Sequence, residues 1–350
     1  MIPHSRPFIG AEEVEAAAEA VESGYLSSGA QVTTLEKELA DFLGVKGAVA
    51  CSSGTAALYL ALRAVGAGSD TTVHIPSFVC TALWNAAGFL NTQISVCDVD
   101  PIIGNISCPD VLKRRRKADD IVILPHMFGA PGPIIELKEA GFKIIEDCAQ
   151  AIGALCNGKL VGTFGDAAIF SFFATKVLCA GEGGALASDS VEILALARDI
   201  CDYDHKNDLK LRFNFKMTEM QAALARIQLK RLPDFIRRRQ KIAAKFDQAV
   251  MNSRFQRIER SPSDIYFRYI LKTNDLTGTI ARFKHHQITA ALPVFFPIHR
   301  YLKLDGYLIT DQLYRTMLSI PCYPALTDEE TETICAAIIH LGSNRSALSG

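Results

Sequence analysis

Short, continuous apolar runs recur along the first half of the chain, and amphipathic stretches separate them. The runs at 47–51, 72–75, 94–99, 121–124 and 142–145 are too brief for helices, and most are rich in the β-branched residues that suit strands. Between them, 55–65, 81–89 and 134–140 carry helical signals. Two more helices are predicted ahead of the first strand, at 11–23 and 32–43, each followed by a glycine that can end it. Strands alternating with helices predict a mostly parallel sheet covered on both faces. The runs at 167–173 and 184–187 flank a glycine-rich loop and depart from this rhythm. Past Thr218 the chain turns strongly helical, at 219–229 and 233–250, with Pro233 suited to the first turn of the second helix. From about 253 onward a strand at 265–271 mixes with helices and proline turns, an α+β pattern. The division this suggests is a large domain over 1–232, whose N-terminal segment can pack on the remainder, and a small C-terminal domain over 233–350.

Composition narrows the possibilities. With 350 residues the chain can bury a sizeable core, and 37 Lys and Arg against 38 Asp and Glu leave a net charge of −1. No global field gathers nucleic acid or anionic membrane, so neither is an expected partner. The mean hydropathy of +0.15 raises the membrane question. No uncharged apolar stretch of about 18 residues answers it. The N-terminus lacks the layout of a signal peptide, and none of the ten cysteines forms a Cys-x-x-Cys pair. Reduced, mostly buried thiols in a cytoplasmic protein are therefore expected. The basic runs 113–117 and 237–239 have acidic neighbours and read as solvated helix faces. No cluster has metal-ligand spacing, so no metal is expected.

Three segments carry chemistry. In Cys51-Ser52-Ser53-Gly54-Thr55-Ala56-Ala57-Leu58 a strand ends, small residues turn and a helix begins. Free backbone N–H groups there, with the Ser and Thr hydroxyls, can bind phosphate, or the serine simply caps the helix. In Lys143 to Gln150 an apolar strand delivers Glu146 and Asp147 at its C-terminal end, the edge where ligands bind in open α/β sheets. In Phe170 to Gly184, Lys176 stands in an apolar setting just before Gly181-Glu182-Gly183-Gly184. A partly desolvated lysine there is a nucleophilic amine, and a lysine reaching from a surface loop is the alternative.

Together these segments resemble the DegT-type aminotransferases, pyridoxal-phosphate enzymes that mostly act on nucleotide-linked sugars. The resemblance runs through Arg6-Pro7-Phe8-Ile9-Gly10, Ser53 to Leu58, His126-Met127-Phe128-Gly129, Glu146 to Gln150, Ser171 to Lys176, Gly181 to Gly184, Asn214-Phe215-Lys216-Met217, Gln221-Ala222-Ala223 and Leu318 to Pro324, in the family's order. It implies a pyridoxal-phosphate transferase of fold type I, aspartate aminotransferase-like. It further implies that Lys176 joins the cofactor covalently and that Asp147 pairs with its pyridine nitrogen, making the ring an electron sink. Gln150 would lie near the ring hydroxyl. Ser171, Gly54 and Thr55 would bind the phosphate. Asn214 matches a position that reaches the phosphate of a neighbouring subunit, which implies a homodimer with shared active sites. The expected activity moves an amino group from glutamate or glutamine to a keto-sugar, linked to a nucleotide.

The chain departs from the family pattern in places. Lys216 replaces an arginine, exchanging a planar fork for a point charge. Relatives often place an aromatic residue four positions after the proline of Pro76-Ser77-Phe78; this chain has Cys80 there and Phe78 two positions earlier, so both are candidates to lie against the cofactor ring. His299 follows Pro297-Ile298 as in relatives and is expected near the substrate entrance, while His126 and Trp84 read as structural. Sugar dehydration, run by relatives with histidine at the lysine position, is disfavoured by Lys176. A non-catalytic cofactor-binding regulator is disfavoured by the intact set of Lys176, Asp147, Ser171 and Gly54. A nicotinamide oxidoreductase would need a Gly-x-Gly-x-x-Gly turn, which is missing after the first strand.

Overall fold

The apolar runs become strands that are buried along nearly their whole length. The computed structural model describes residues 1–343. Its strands are β1 (Gly47–Cys51), β2 (Thr72–Pro76), β3 (Gln93–Cys97), β4 (Ile121–Pro125), β5 (Lys143–Asp147), β6 (Leu155–Cys156), β7 (Lys159–Leu160), β8 (Ala167–Ser171), β9 (Gly184–Ser188), β10 (Gln256–Arg257), β11 (Tyr269–Lys272) and β12 (Met317–Ile320). Its helices are α1 (Ala11–Glu22), α2 (Ala30–Leu43), α3 (Gly54–Ala64), α4 (Ala82–Gly88), α5 (Cys108–Arg114), α6 (Ile134–Glu139), α7 (Val191–Cys201), α8 (Glu219–Met251), α9 (Leu276–His285), α10 (Ile298–Tyr301), α11 (Leu308–Thr316) and α12 (Asp328–Ser343).

Seven strands form the main sheet in the order β1-β9-β8-β5-β4-β2-β3. All neighbours are parallel except β9, which runs antiparallel to both β1 and β8. The antiparallel return has a consequence for position. It leaves the β8–β9 loop, with Lys176 on it, at the edge where β1, β4 and β5 end. Strands β2, β4 and β9 are buried at every residue, as sheets covered on both faces require. No helix among the described residues is long and apolar enough to cross a membrane.

The helical region after Thr218 differs from the expectation of two helices. α8 is continuous over 33 residues and carries Pro233 inside it. Thr218 opens the helix with a capping box, its hydroxyl accepting from Gln221 N. An interior proline costs about 3 kcal/mol. Burial of Leu229, Leu232, Phe235, Ile242 and Phe246 along α8 offsets that cost. Position 232, where the sequence reading divides the chain, lies inside this helix. One end of α8 packs in the core of the main sheet, and the other packs with the three-stranded sheet β10-β11-β12. The N-terminal strand-like segment joins that second core: Ile2 N donates to the Gln287 carbonyl at 2.7 Å.

The sequence pattern predicts a helix face at 113–117 but not the start of α5, and it does not assign α7. Each starts at a serine N-cap, Ser107 accepting from Asp110 N and Ser190 accepting from Ile193 N. The basic runs are absorbed by the fold. Arg114 pairs with Asp110, and Arg115 donates to the carbonyls of Ala140 and Gly141. Arg239 corrects the solvated-face reading: only 3% exposed, it donates to the carbonyls of Tyr266, Phe267 and Cys322. All ten cysteines are free thiols.

Candidate active site

Consecutive residues of a strand point to opposite faces, and β5 uses this to separate two carboxylates. Glu146 points away from the helical turn at β1 and is fully buried. Its oxygens accept from His126 Nε2 at 3.0 Å and from the backbone N–H groups of Gly162, Phe164 and Gly165 at 2.7–2.8 Å. His126 Nδ1 accepts from Gly132 N at 2.9 Å, so Nε2 carries the proton, and both ring nitrogens are committed to structure. Glu146, His126 and Cys148 stand close enough to hold a cation. The four hydrogen bonds already occupy the carboxylate, so this cluster is a structural knot. Burial pushes the Glu146 carboxyl up, but the His126 and backbone bonds outweigh it and hold it below its usual range. That stabilisation is present above about pH 4.5 and is lost as pH falls through the lowered value. Glu146→Gln should lower unfolding free energy at neutral pH by about 3 kcal/mol and flatten its decline in acid. Urea titrations across the acid range would check both.

Asp147, on the other face, ends β5 at 9% exposure. Its Oδ1 accepts from Ala149 N at 3.0 Å, and its other oxygen has no partner among the described residues. Lys176 and Cys80 face it across the strand ends. Burial lowers the Lys176 ammonium; the Asp147 and Cys80 charges oppose this without reversing it. Burial likewise raises the Asp147 carboxyl, countered in part by the Ala149 N–H and by Lys176. The Cys80 thiol is pushed up by burial and by Asp147, so it is not a ready nucleophile. Cys80 is nonetheless exposed by area. Lys176 Nζ sits over the Phe267 ring, 5.3 Å from its centre.

The helix turn lies beside this group. Ser53 caps α3 by accepting from Ala56 N at 3.1 Å. The N–H groups of Gly54 and Thr55 have no partner among the described residues, and Thr55 is exposed. A side chain at Gly54 would place its Cβ 2.7 Å from the Ser171 Cβ, so only glycine lets β8 pass the turn this closely. Gly184 meets a similar limit, 2.5 Å from the Ser53 carbonyl carbon. Gln150 stands nearby, its Oε1 accepting from Phe128 N at 2.9 Å, and its NH₂ group has no partner among the described residues.

Other sequence candidates fall elsewhere. Phe78 has no exposed surface; it packs edge-on against Phe128 and under Gly104, so it has no face to offer a cofactor ring. Of the two ring candidates only Cys80 is exposed. Asn214 does not join the group within its own chain. Phe213 and Phe215 stack at 4.8 Å against Tyr59, and Asn214 between them is exposed. Lys216 is held by Asp202 and Asp204. His299 is buried 3% exposed rather than set at an entrance: its Nδ1 bonds the Ser77 hydroxyl at 2.7 Å, and its ring stacks on Tyr307. Trp84 packs against the main core.

A lysine amine, an unpaired carboxylate and an open helix N-terminus at one sheet edge agree with the family whose model matches residues 7–339, the DegT/DnrJ/EryC1/StrS aminotransferase family. The chain belongs to that family. This DegT-family chain is 30% identical over 381 residues to the spore coat polysaccharide biosynthesis protein SpsC of Bacillus subtilis, covering 96% of each. It is 29% identical to the dTDP-4-dehydro-2,3,6-trideoxy-D-glucose 4-aminotransferase of Saccharopolyspora spinosa, over 99% of this chain and 100% of that one. Its fold matches the crystal structure of the aminotransferase TlmJ from Streptoalloteichus hindustanus with a TM-score of 0.91, at 25% identity, over 97% and 98% of the two chains. The chain is thus an aminotransferase of the fold type I architecture, and the family implies pyridoxal phosphate as cofactor. The residues fit that group: Asp147 has an oxygen free for a cationic ring nitrogen, and the Gly54–Ser171 contact leaves a cradle that a Cβ would fill.

Proposed function

We propose that this DegT-family aminotransferase transfers an amino group from glutamate or glutamine to a nucleotide-linked keto-sugar. The observation that carries the reading is the meeting of Lys176, Asp147 and Cys80 beside the open turn of α3. Lys176 would hold the cofactor covalently, Asp147 its ring nitrogen, and Gly54, Thr55 and Ser171 its phosphate. Gln150 would offer its amide to the ring hydroxyl, and Cys80 would line one ring face. When bound, pyridoxal phosphate supplies the carbonyl that takes up the donor nitrogen and a ring that accepts electrons from the breaking C–H bond. Asp147 would keep the ring nitrogen protonated through its ionised carboxylate. Lys176, its ammonium weakened by burial, would move the proton from the donor α-carbon to C4′ of the cofactor in the first half of the reaction, and from C4′ to the sugar carbon that takes the nitrogen in the second. A histidine at this position would instead fit the sugar dehydration known in relatives. Incubating the loaded protein with a panel of keto-sugar nucleotides and L-glutamate or L-glutamine, and reading products by mass, tests the function. An aminated sugar is expected; a dehydrated one, or no product with any sugar, would overturn it.

The working unit in this reading is a homodimer in which Asn214 from a second copy reaches the phosphate. Its exposure on the side away from the Phe213–Phe215 stack supports this. Mixed dimers of Lys176→Ala and Asn214→Ala subunits should recover about half the activity, because one pocket then carries both lesions and the other neither. Absence of recovery would place each lesion in its own chain's pocket and remove the shared site.

A further inference from the structure

Phe128 stands in the left-handed region, with φ of 57° and ψ of 16°. A residue other than glycine holds that conformation only where its surroundings fix it. Hydrogen bonds from outside the turn do so here. Met127 N donates to Asn105 Oδ1 at 2.8 Å, and the Gly129 carbonyl accepts from Ile265 N at 3.1 Å. Two more fall on Phe128 itself: its N–H donates to Gln150 Oε1 at 2.9 Å, and its carbonyl accepts from Arg260 Nη2 at 3.0 Å. Holding both polar groups of one residue sets its φ and ψ together. The turn begins at His126, whose N–H donates to the Asp147 carbonyl at 3.1 Å. It therefore touches two of the residues assigned to the cofactor ring, Asp147 and Gln150.

Arg260 makes its bond to Phe128 from a costly position. It lies between β10 and β11, and its side chain is only 3% exposed. Its Nε pairs with Asp264 at 2.7 Å, but Asp264 is buried as well, and its Oδ1 has no partner among the described residues. Burial weakens both charges, lowering the guanidinium and raising the carboxyl. A buried ion pair of this kind often adds little stability over apolar side chains of similar volume. What it supplies is direction. The guanidinium is planar and rigid, and the Tyr266 ring packs on it with its centre 4.7 Å from Cζ. The Phe128 N–H in turn takes only an acceptor, so Gln150 gives its oxygen to the turn and points its NH₂ group elsewhere. An NH₂ group is the end from which a ring hydroxyl oxygen can accept. We propose that Arg260 is a positioning residue for the cofactor: by holding the Phe128 carbonyl it keeps the Phe128 N–H on Gln150, and so aims the Gln150 amide at the ring hydroxyl. The assignment rests on the aminotransferase reading, in which Gln150 lies beside that hydroxyl, and adds the residue that orients it.

The protein loaded with pyridoxal phosphate, with neither donor nor sugar present, tests this through the pH at which the absorbance of the covalently held cofactor changes. A hydrogen bond donated to the ring oxygen favours its ionised form and so lowers that midpoint. Gln150→Leu should raise the midpoint by about one pH unit, a tenfold change in proton affinity. Arg260→Gln should raise it by a similar amount, and Arg260→Lys by less. Arg260→Met combined with Asp264→Leu removes both buried charges at once, so it should stay folded even where the single variant does not, and should show the same rise. In the Gln150→Leu background, losing Arg260 should move the midpoint no further. Without cofactor, amide hydrogen exchange at Phe128 should quicken in the Arg260 variants. A midpoint left unmoved by Gln150→Leu or by a folded Arg260 variant, a rise that adds to that of Gln150→Leu, or Phe128 exchange at the wild-type rate would overturn the assignment while the aminotransferase reading stands. A wild type that takes up no covalently held cofactor would overturn that reading, and this role with it.

Discussion

Lys176→Ala is expected to lower transamination by at least about 10⁴-fold while leaving the protein folded. Two roles vanish at once, the amine that holds the cofactor and the base that moves the proton at the donor α-carbon. Neither has a substitute nearby: Lys216 is tied to Asp202 and Asp204, and Arg268, whose charge acts on Lys176, is a poor base. Removing a part-buried ammonium that forms no hydrogen bond among the described residues leaves no orphaned partner beyond Asp147, so the fold should survive. Single-turnover absorbance with L-glutamate would read the loss. A variant that keeps the absorbance of covalently held cofactor, and turns over, would show that another amine does this work.

Asp147→Asn is the second large effect. The amide keeps the shape of the carboxylate and its bond from Ala149 N, so folding and cofactor uptake should persist. What it loses is a charge facing the ring nitrogen in a desolvated site, where such a charge is worth most. The single-turnover rate should fall about 10²- to 10³-fold. A fall below about tenfold, or roughly 1.4 kcal/mol, would mean that the proton on the ring nitrogen is held by another group.

Much of this architecture can be read from the chain because a sheet covered on both faces leaves uninterrupted apolar runs. The runs ending at Cys51, Pro125, Asp147 and Ser171 also bring their polar ends to one edge, which is why Gly54, Asp147 and Lys176 could be named before any contact was seen. What stayed hidden depends on partners far away in sequence. Phe78 reads as a ring-stacking candidate until Gly104 and Phe128 are seen to enclose it. His299 reads as an entrance residue until Ser77, 222 positions earlier, is found bonded to it. Pro233 misled because local propensity favours a helix start there, whereas burial on both sides of it carries α8 through.

That uninterrupted α8 has a mechanical meaning. At 1.5 Å per residue its 33 residues make a shaft of about 50 Å. One end is anchored in the core that holds Phe172 and Val177 on either side of Lys176, and the other in the core that holds Tyr269 and Leu271 of β11. A shaft, unlike a loop, transmits displacement instead of absorbing it. Its compliance is greatest at Pro233, where the ladder of backbone bonds already lacks one rung. Bending at that single proline is therefore the motion that would shift one core against the other.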